Sequence, residues 1–169
     1  MNNSKEHIIK VLEKVTDPEI PVLTIIDLGI VRDVICHEDE EVEIIITPTY
    51  SGCPAMDAIG FDIKLKLIEE GFKKIKITYT LSPPWTTDWM TESGKQKLKQ
   101  YGIAPPQHIS GSENKSRIDK LLFEEDEHIE CPHCNSTNTR LLSEFGSTAC
   151  KALHKCLDCK EPFDYFKCH

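Results

Sequence analysis

Three observations predict an α+β fold with a separate, metal-stapled C-terminal module. Apolar residues recur at helical spacing in three stretches and at strand spacing in three others, in the order α-β-β-α-β-α. A polar, aperiodic stretch follows. Six of the eight cysteines then crowd into the last 39 of 169 residues. The first part is read as a small mixed three-stranded sheet with helices on one face.

Residues 5–15 place Ile8, Val11, Leu12 and Val15 on one helical face, with Asn3 or Ser4 as cap. Pro18 disfavours helical geometry in the residue before it, so this helix is expected to stop at Thr16–Asp17. "DPEIPVLTIIDLGI" is a proline-punctuated loop leading into a strand at about 30–36. "HEDEE" is a charged turn and "VEIIIT", 42–47, a second strand, which together read as a hairpin.

Cys53 is expected at the N-cap of the next helix, with Pro54 at its first position. Met56, Ile59, Ile63 and Leu67 form its apolar face, and Gly71 stops it. Residues 72–81 alternate, with Ile75, Ile77, Tyr79 and Leu81 on one side of a half-buried strand. A last helix, about 87–101, is capped by Thr87 or Asp88 and ends at Gly102. The domain reading is 1–103 for the α+β unit, 104–127 for a linker and 128–169 for the metal module. "EEDE", 124–127, reads as solvated surface.

Composition narrows the function classes. A formal charge of −8 repels phosphate backbones and argues against nucleic-acid binding. No apolar stretch approaches the roughly 20 residues that span a bilayer, and the N-terminus lacks a secretory pattern, so a cytoplasmic protein without membrane contact is expected. In that compartment clustered cysteines bind metal more often than they form disulfides.

"CPHC" (Cys131, Cys134) and "CLDC" (Cys156, Cys159) are two CxxC pairs separated by 21 residues, close to the spacing of ribbon-type sites. Each turn offers two thiolates to one ion, and two turns complete a tetrahedron. Four thiolates leave no open position, so the site is structural: a zinc-ribbon-like module around Zn2+, with iron allowed by the same turn chemistry. About 40 residues with few apolar groups rarely fold without such a staple. Cys150 is either a plain buried thiol or one presented for exchange or metal transfer. Cys168 and His169 read as a frayed end or a weak ligand pair.

In "TPTYSGCPAMDAIG" the lone Cys53 stands on a strand-to-helix hinge. The unpaired N–H groups of a helix start lower a thiol's pKa, so Cys53 is read as an exposed, reactive thiolate, against the plainer reading of a packing cap. No histidine is paired with it in a catalytic pattern. Asp17 and Glu19, in "DPE", either shape their loop or supply oxygen ligands near Cys53. Trp85 and Trp89 are either core residues or partner-binding anchors.

Taken together, "VTDPEIPVLTIIDLGIVRDV", "TPTYSGCPA", "PPWTTDWMTESG", "GIAPP" and "CPHC…FGSTACKALHKCLDCKEPFDYFK" closely resemble the PaaD family of phenylacetic-acid degradation proteins, also called PaaJ subunits of phenylacetyl-CoA oxygenase. The first domain of that family belongs to a larger group of iron–sulfur assembly proteins that includes SufT. The resemblance implies an accessory or maturation role beside a multicomponent, ring-epoxidising oxygenase, whose di-iron subunit and reductase do the chemistry. It implies Cys53 as a transient ligand for iron or an Fe–S cluster, Asp17 and Glu19 as the motif loop, Cys131, Cys134, Cys156 and Cys159 as ribbon ligands, and Cys150 as part of the tail. One cysteine cannot hold a cluster, which usually takes four thiolates. A second protomer of a homodimer, a partner's cysteines or Cys150 would complete the sphere.

Overall fold

The structure, a computed structural model, describes residues 5–38, 41–106 and 129–167. It divides into two compact units between Tyr101 and Gly102. The expected caps at Asn3 or Ser4, most of the expected linker, the 124–127 charge run, Cys168 and His169 lie outside the described residues.

In the first unit α1 (Lys5–Leu12) buries Ile8, Val11 and Leu12. It ends earlier than Pro18 alone would require. Beyond Leu12 the chain tightens into turns, in which Lys14 and Val15 donate to the carbonyls of Val11 and Leu12. The following loop is not a surface strap: Val15, Ile20, Leu23, Ile25, Leu28 and Ile30 are all buried. Asp27, 6% exposed, holds its end in place. Its carboxylate accepts from Thr24 N–H and Oγ1, from Thr91 Oγ1 and from Lys97 Nζ at 2.6 Å. These donors outweigh the cost of burial and keep the Asp27 carboxyl below its usual range.

Strands β1 (Val31–Cys36) and β2 (Glu41–Ile46) form the expected antiparallel hairpin. Strand β3 (Lys74–Tyr79) joins β2 in parallel, so the sheet is mixed, in the order β1-β2-β3. Between them α2 (Ala55–Glu69) buries Met56, Ile59, Ile63 and Leu67, the face that the spacing picks out. Gly71, at φ 94°, donates to Ile68 O while Phe72 donates to Leu67 O, a Schellman stop. As an edge strand β3 is less sheltered than its alternation suggests, and Tyr79 and Leu81 are exposed. Tyr79 lies on α2 where Gly60 leaves room: a Cβ there would stand 2.5 Å from its hydroxyl.

The expected helix over 87–101 is broken in two. A single 3-10 turn (Thr87–Trp89) precedes α3 (Glu92–Gln100), and the cap is Thr91, whose side chain accepts from Gly94 N–H. Thr91 wins because its own N–H is tied to Asp27 O, which fixes where the helix starts.

The second unit is a four-stranded sheet, β4-β7-β6-β5, formed by Ile103–Ala104, Pro162–Phe166, Lys151–Cys156 and Thr139–Ser143. Ile103 and Ala104 pair with Asp164 and Tyr165, which draws the boundary to before Gly102 instead of after residue 103. The core is Ala104, Ile129, Cys131, Ala152, Cys156, Phe163 and Tyr165, with Cys159 against it. So few apolar side chains make the cysteines part of the packing.

Candidate metal centre and thiol site

Each CxxC pair ends in a left-handed residue, Asn135 at φ 60° and Lys160 at φ 69°. This lets the chain reverse directly after the second cysteine of each pair. Within the turns, the backbone N–H groups of His133 and Cys134 point at the Cys131 sulfur, and those of Asp158 and Cys159 at the Cys156 sulfur. All four sulfurs lie within 4.8 Å of one another, with Cys131–Cys159 at 3.8 Å and Cys134–Cys156 at 3.6 Å. A tetrahedral ion with Zn–S bonds near 2.3 Å has sulfur–sulfur edges of about 3.8 Å, so the cage fits zinc. Cys131 and Cys156 are buried, Cys159 is half-buried and Cys134 is exposed.

Crowding four thiols splits their acidities. Burial alone would raise Cys156, but the two backbone N–H groups and the Cys134 and Cys159 thiols bring it down to about 7. Cys159 receives the Glu161 N–H, yet burial and the three neighbouring sulfurs push it up to about 12. Without an ion the sulfurs cannot all ionise together, and a divalent cation removes that conflict.

Sequence reasoning missed the groups that join the two turns. Asp158 Oδ2 accepts from Ser136 Oγ at 2.5 Å and Oδ1 from Asn138 Nδ2 at 2.7 Å. Leu157 N–H donates to Asn138 O at 2.8 Å. The available signal was the pair of small polar residues just past "CPHC", facing the one acid inside "CLDC". Cys150 is 5% exposed and 3.1 Å from Thr148 Oγ1, so it is a buried thiol and not a presented one.

Cys53 departs from expectation in a way that matters. It stands one residue before the helix cap, which is Pro54, and is half-buried. Its pKa is raised, not lowered. Burial is the largest cause; the Ala55 N–H and the Tyr50 side chain pull it down, and the charges of Glu19 and Asp17 push it up. One amide and a helix start do not outweigh burial beside two carboxylates. The structure thus brings Asp17, Glu19 and Cys53 together as the sequence suggested, but as a neutral thiol under negative potential. Asp17 also shapes its loop, since Oδ1 accepts from the N–H groups of Glu19 and Ile20, both at 2.8 Å.

The two tryptophans part company. Trp85 is 4% exposed and its Nε1 donates to Leu28 O at 2.9 Å, so it is a core residue and the anchor reading fails for it. Trp89 is half-buried, with the Arg32 guanidinium 3.7 Å from its ring centroid. Gly29 permits that approach, because any Cβ there would meet Trp89 O at 2.1 Å. Among the described residues no helix is long and apolar enough to cross a membrane.

An iron–sulfur-assembly-type α+β unit joined to a four-cysteine ribbon is a defined class of protein, and comparison with known proteins agrees. Residues 5–77 match the family model "Iron-sulfur cluster assembly protein" and residues 115–167 match "PaaD zinc beta ribbon domain". The chain is 46% identical, over 93% of its length and 88% of the relative's, to an Escherichia coli protein named as the D component of a "Putative 1,2-phenylacetyl-CoA epoxidase". A Porphyromonas gingivalis protein named "Fe-S protein maturation auxiliary factor" is 38% identical over 58% of this chain and 97% of its own. Among solved structures, a Bacillus anthracis domain of unknown function, DUF59, superposes with a TM-score of 0.53 at 31% identity, covering 56% of this chain and 90% of that one. The chain belongs to the PaaD family.

Proposed function

We propose that this protein is a cytoplasmic accessory factor of aerobic phenylacetate breakdown that helps deliver iron or an Fe–S cluster to components of a phenylacetyl-CoA oxygenase. The coarse part, an accessory role in phenylacetate catabolism and Fe–S assembly, is supported by the paired matches to a PaaD ribbon and to Fe–S maturation factors.

One observation carries the delivery reading. Cys53 is held as a thiol first by its burial and then by the charges of Glu19 and Asp17, and it is these two carboxylates that favour a cation beside the sulfur. A nucleophile needs the reverse. An arriving iron ion cancels the carboxylate charge, and the thiol loses its proton as the Fe–S bond forms. A single sulfur with two oxygens holds such cargo only in passing. Release to a client with a fuller ligand set follows.

The ribbon is the resident metal site. Its four sulfurs hold zinc for shape, and they leave no room for substrate. The test is made in cells carrying Cys53→Ser. The oxygenase reductase or di-iron subunit is expected to purify with depleted iron, and depleted sulfide where it holds a cluster. Full metal content in both components would defeat the delivery role and leave a docking subunit.

A further inference from the structure

Tyr50 to Cys53 form a four-residue turn in which Cys53 N–H donates to Tyr50 O at 3.3 Å. Gly52 takes its third place at φ 87°, the pattern of a type II turn. A Cβ on Gly52 would meet nothing within 4 Å, so only that φ asks for glycine. The half-buried Tyr50 folds back onto Cys53, whose sulfur accepts from the phenol hydroxyl and from Ala55 N–H. Tyr50 lies before Cys53 in the chain and Ala55 after it. Two donors from opposite directions along the chain hold the sulfur, because turning it about the Cα–Cβ bond gives up a hydrogen bond.

Both donors are neutral, whereas the charges that reach Cys53 are those of the Glu19 and Asp17 carboxylates. A thiol nucleophile is activated by a base or a cation beside it, and a cation there would repel an arriving metal ion. A phenol supports the sulfur without that repulsion. Hydrogen bonds from groups that touch no ion orient a metal's ligands and tune them. We propose that Tyr50 is a positioning residue for metal capture, its phenol hydroxyl holding the Cys53 sulfur in place beside Asp17 and Glu19 for a divalent iron ion. This role rests on the delivery reading of Cys53 and adds to it the residue that orients the sulfur. When the Fe–S bond forms, the S–H bond breaks and its proton leaves to solvent, while the O–H···S hydrogen bond stays in place.

The experiment titrates Co2+, a spectroscopic stand-in for Fe2+, into the zinc-loaded full chain. Zinc outbinds cobalt and keeps the ribbon. A near-ultraviolet sulfur-to-cobalt band is expected from the unaltered chain and should be absent from Cys53→Ser. Tyr50→Phe removes only the hydroxyl, so it should keep its zinc and its unfolding midpoint. It should bind cobalt about 10-fold less tightly. Its band should also move to longer wavelength, because a sulfur without the O–H···S bond yields electrons more readily. Gly52→Val, strained at positive φ, should weaken cobalt binding too, whereas Gly52→Asn should not. Unchanged affinity and band in Tyr50→Phe overturn the role of Tyr50 and leave delivery standing, as does Gly52→Val binding as well as Gly52→Asn. An unaltered chain without the band, or a band that Cys53→Ser retains, overturns the cation site itself and the role of Tyr50 with it.

Discussion

Asp158, inside the second cysteine turn, accepts a hydrogen bond from Asn138, which stands just beyond the first, at 2.7 Å. With the Ser136 contact, both oxygens of one carboxylate bind the opposite turn. These donors keep the Asp158 carboxyl below its usual range, so it stays charged at neutral pH. The two halves of the metal cage are thus aligned by a group that touches no ion.

Removing that alignment should loosen the metal. Asp158→Ala is expected to lower zinc affinity by about 10-fold or more, as outer groups around a metal site generally do. Competition with a chromophoric chelator measures it. Unchanged affinity would show that the sulfurs align themselves.

Zinc removal should separate the two units. Freshly purified protein should contain about one zinc per chain, and a strong chelator should abolish the ribbon's strand signal in circular dichroism. Both tryptophans of the chain belong to the first unit. Their fluorescence should therefore persist, because the core around Trp85 contains no metal ligand.

Cys53 should behave as a reluctant thiol at neutral pH. Its raised pKa means that alkylation is slower than for a peptide cysteine and keeps accelerating as pH rises past the ordinary thiol range. Asp17→Asn with Glu19→Gln removes two charges that hold the proton on, so the inflection should move down in pH. Peptide-resolved mass spectrometry separates Cys53 from the exposed Cys36. A fully reactive Cys53 at pH 7 would contradict this electrostatic reading.

Trp85 should matter for stability. Trp85→Ala is expected to cost about 3 to 5 kcal/mol by emptying a buried site. Trp85→Phe keeps most of the packing and should cost about 1 to 3 kcal/mol, the penalty for leaving Leu28 O unpaired. Denaturant unfolding of the zinc-loaded chain gives both values.

Local chemistry was legible in the sequence. Spacing alone picked out the buried face of α2, the Gly71 stop, the β1–β2 hairpin and the four ribbon cysteines, because each depends on neighbours a few residues apart. Even the company of Cys53 was visible in its motifs. The tertiary structure decided what those neighbours do to it: carboxylates more than thirty positions away in sequence, together with burial, reverse the shift that a helix start alone would impose. The same holds for Trp85, bonded to a carbonyl 57 residues earlier, and for α3, whose start is set by Asp27. Ile103–Ala104 became a strand only because β7 supplied an edge. Spacing fixes which side chains share a face, whereas solvation and charge at one atom sum over everything the fold brings near it.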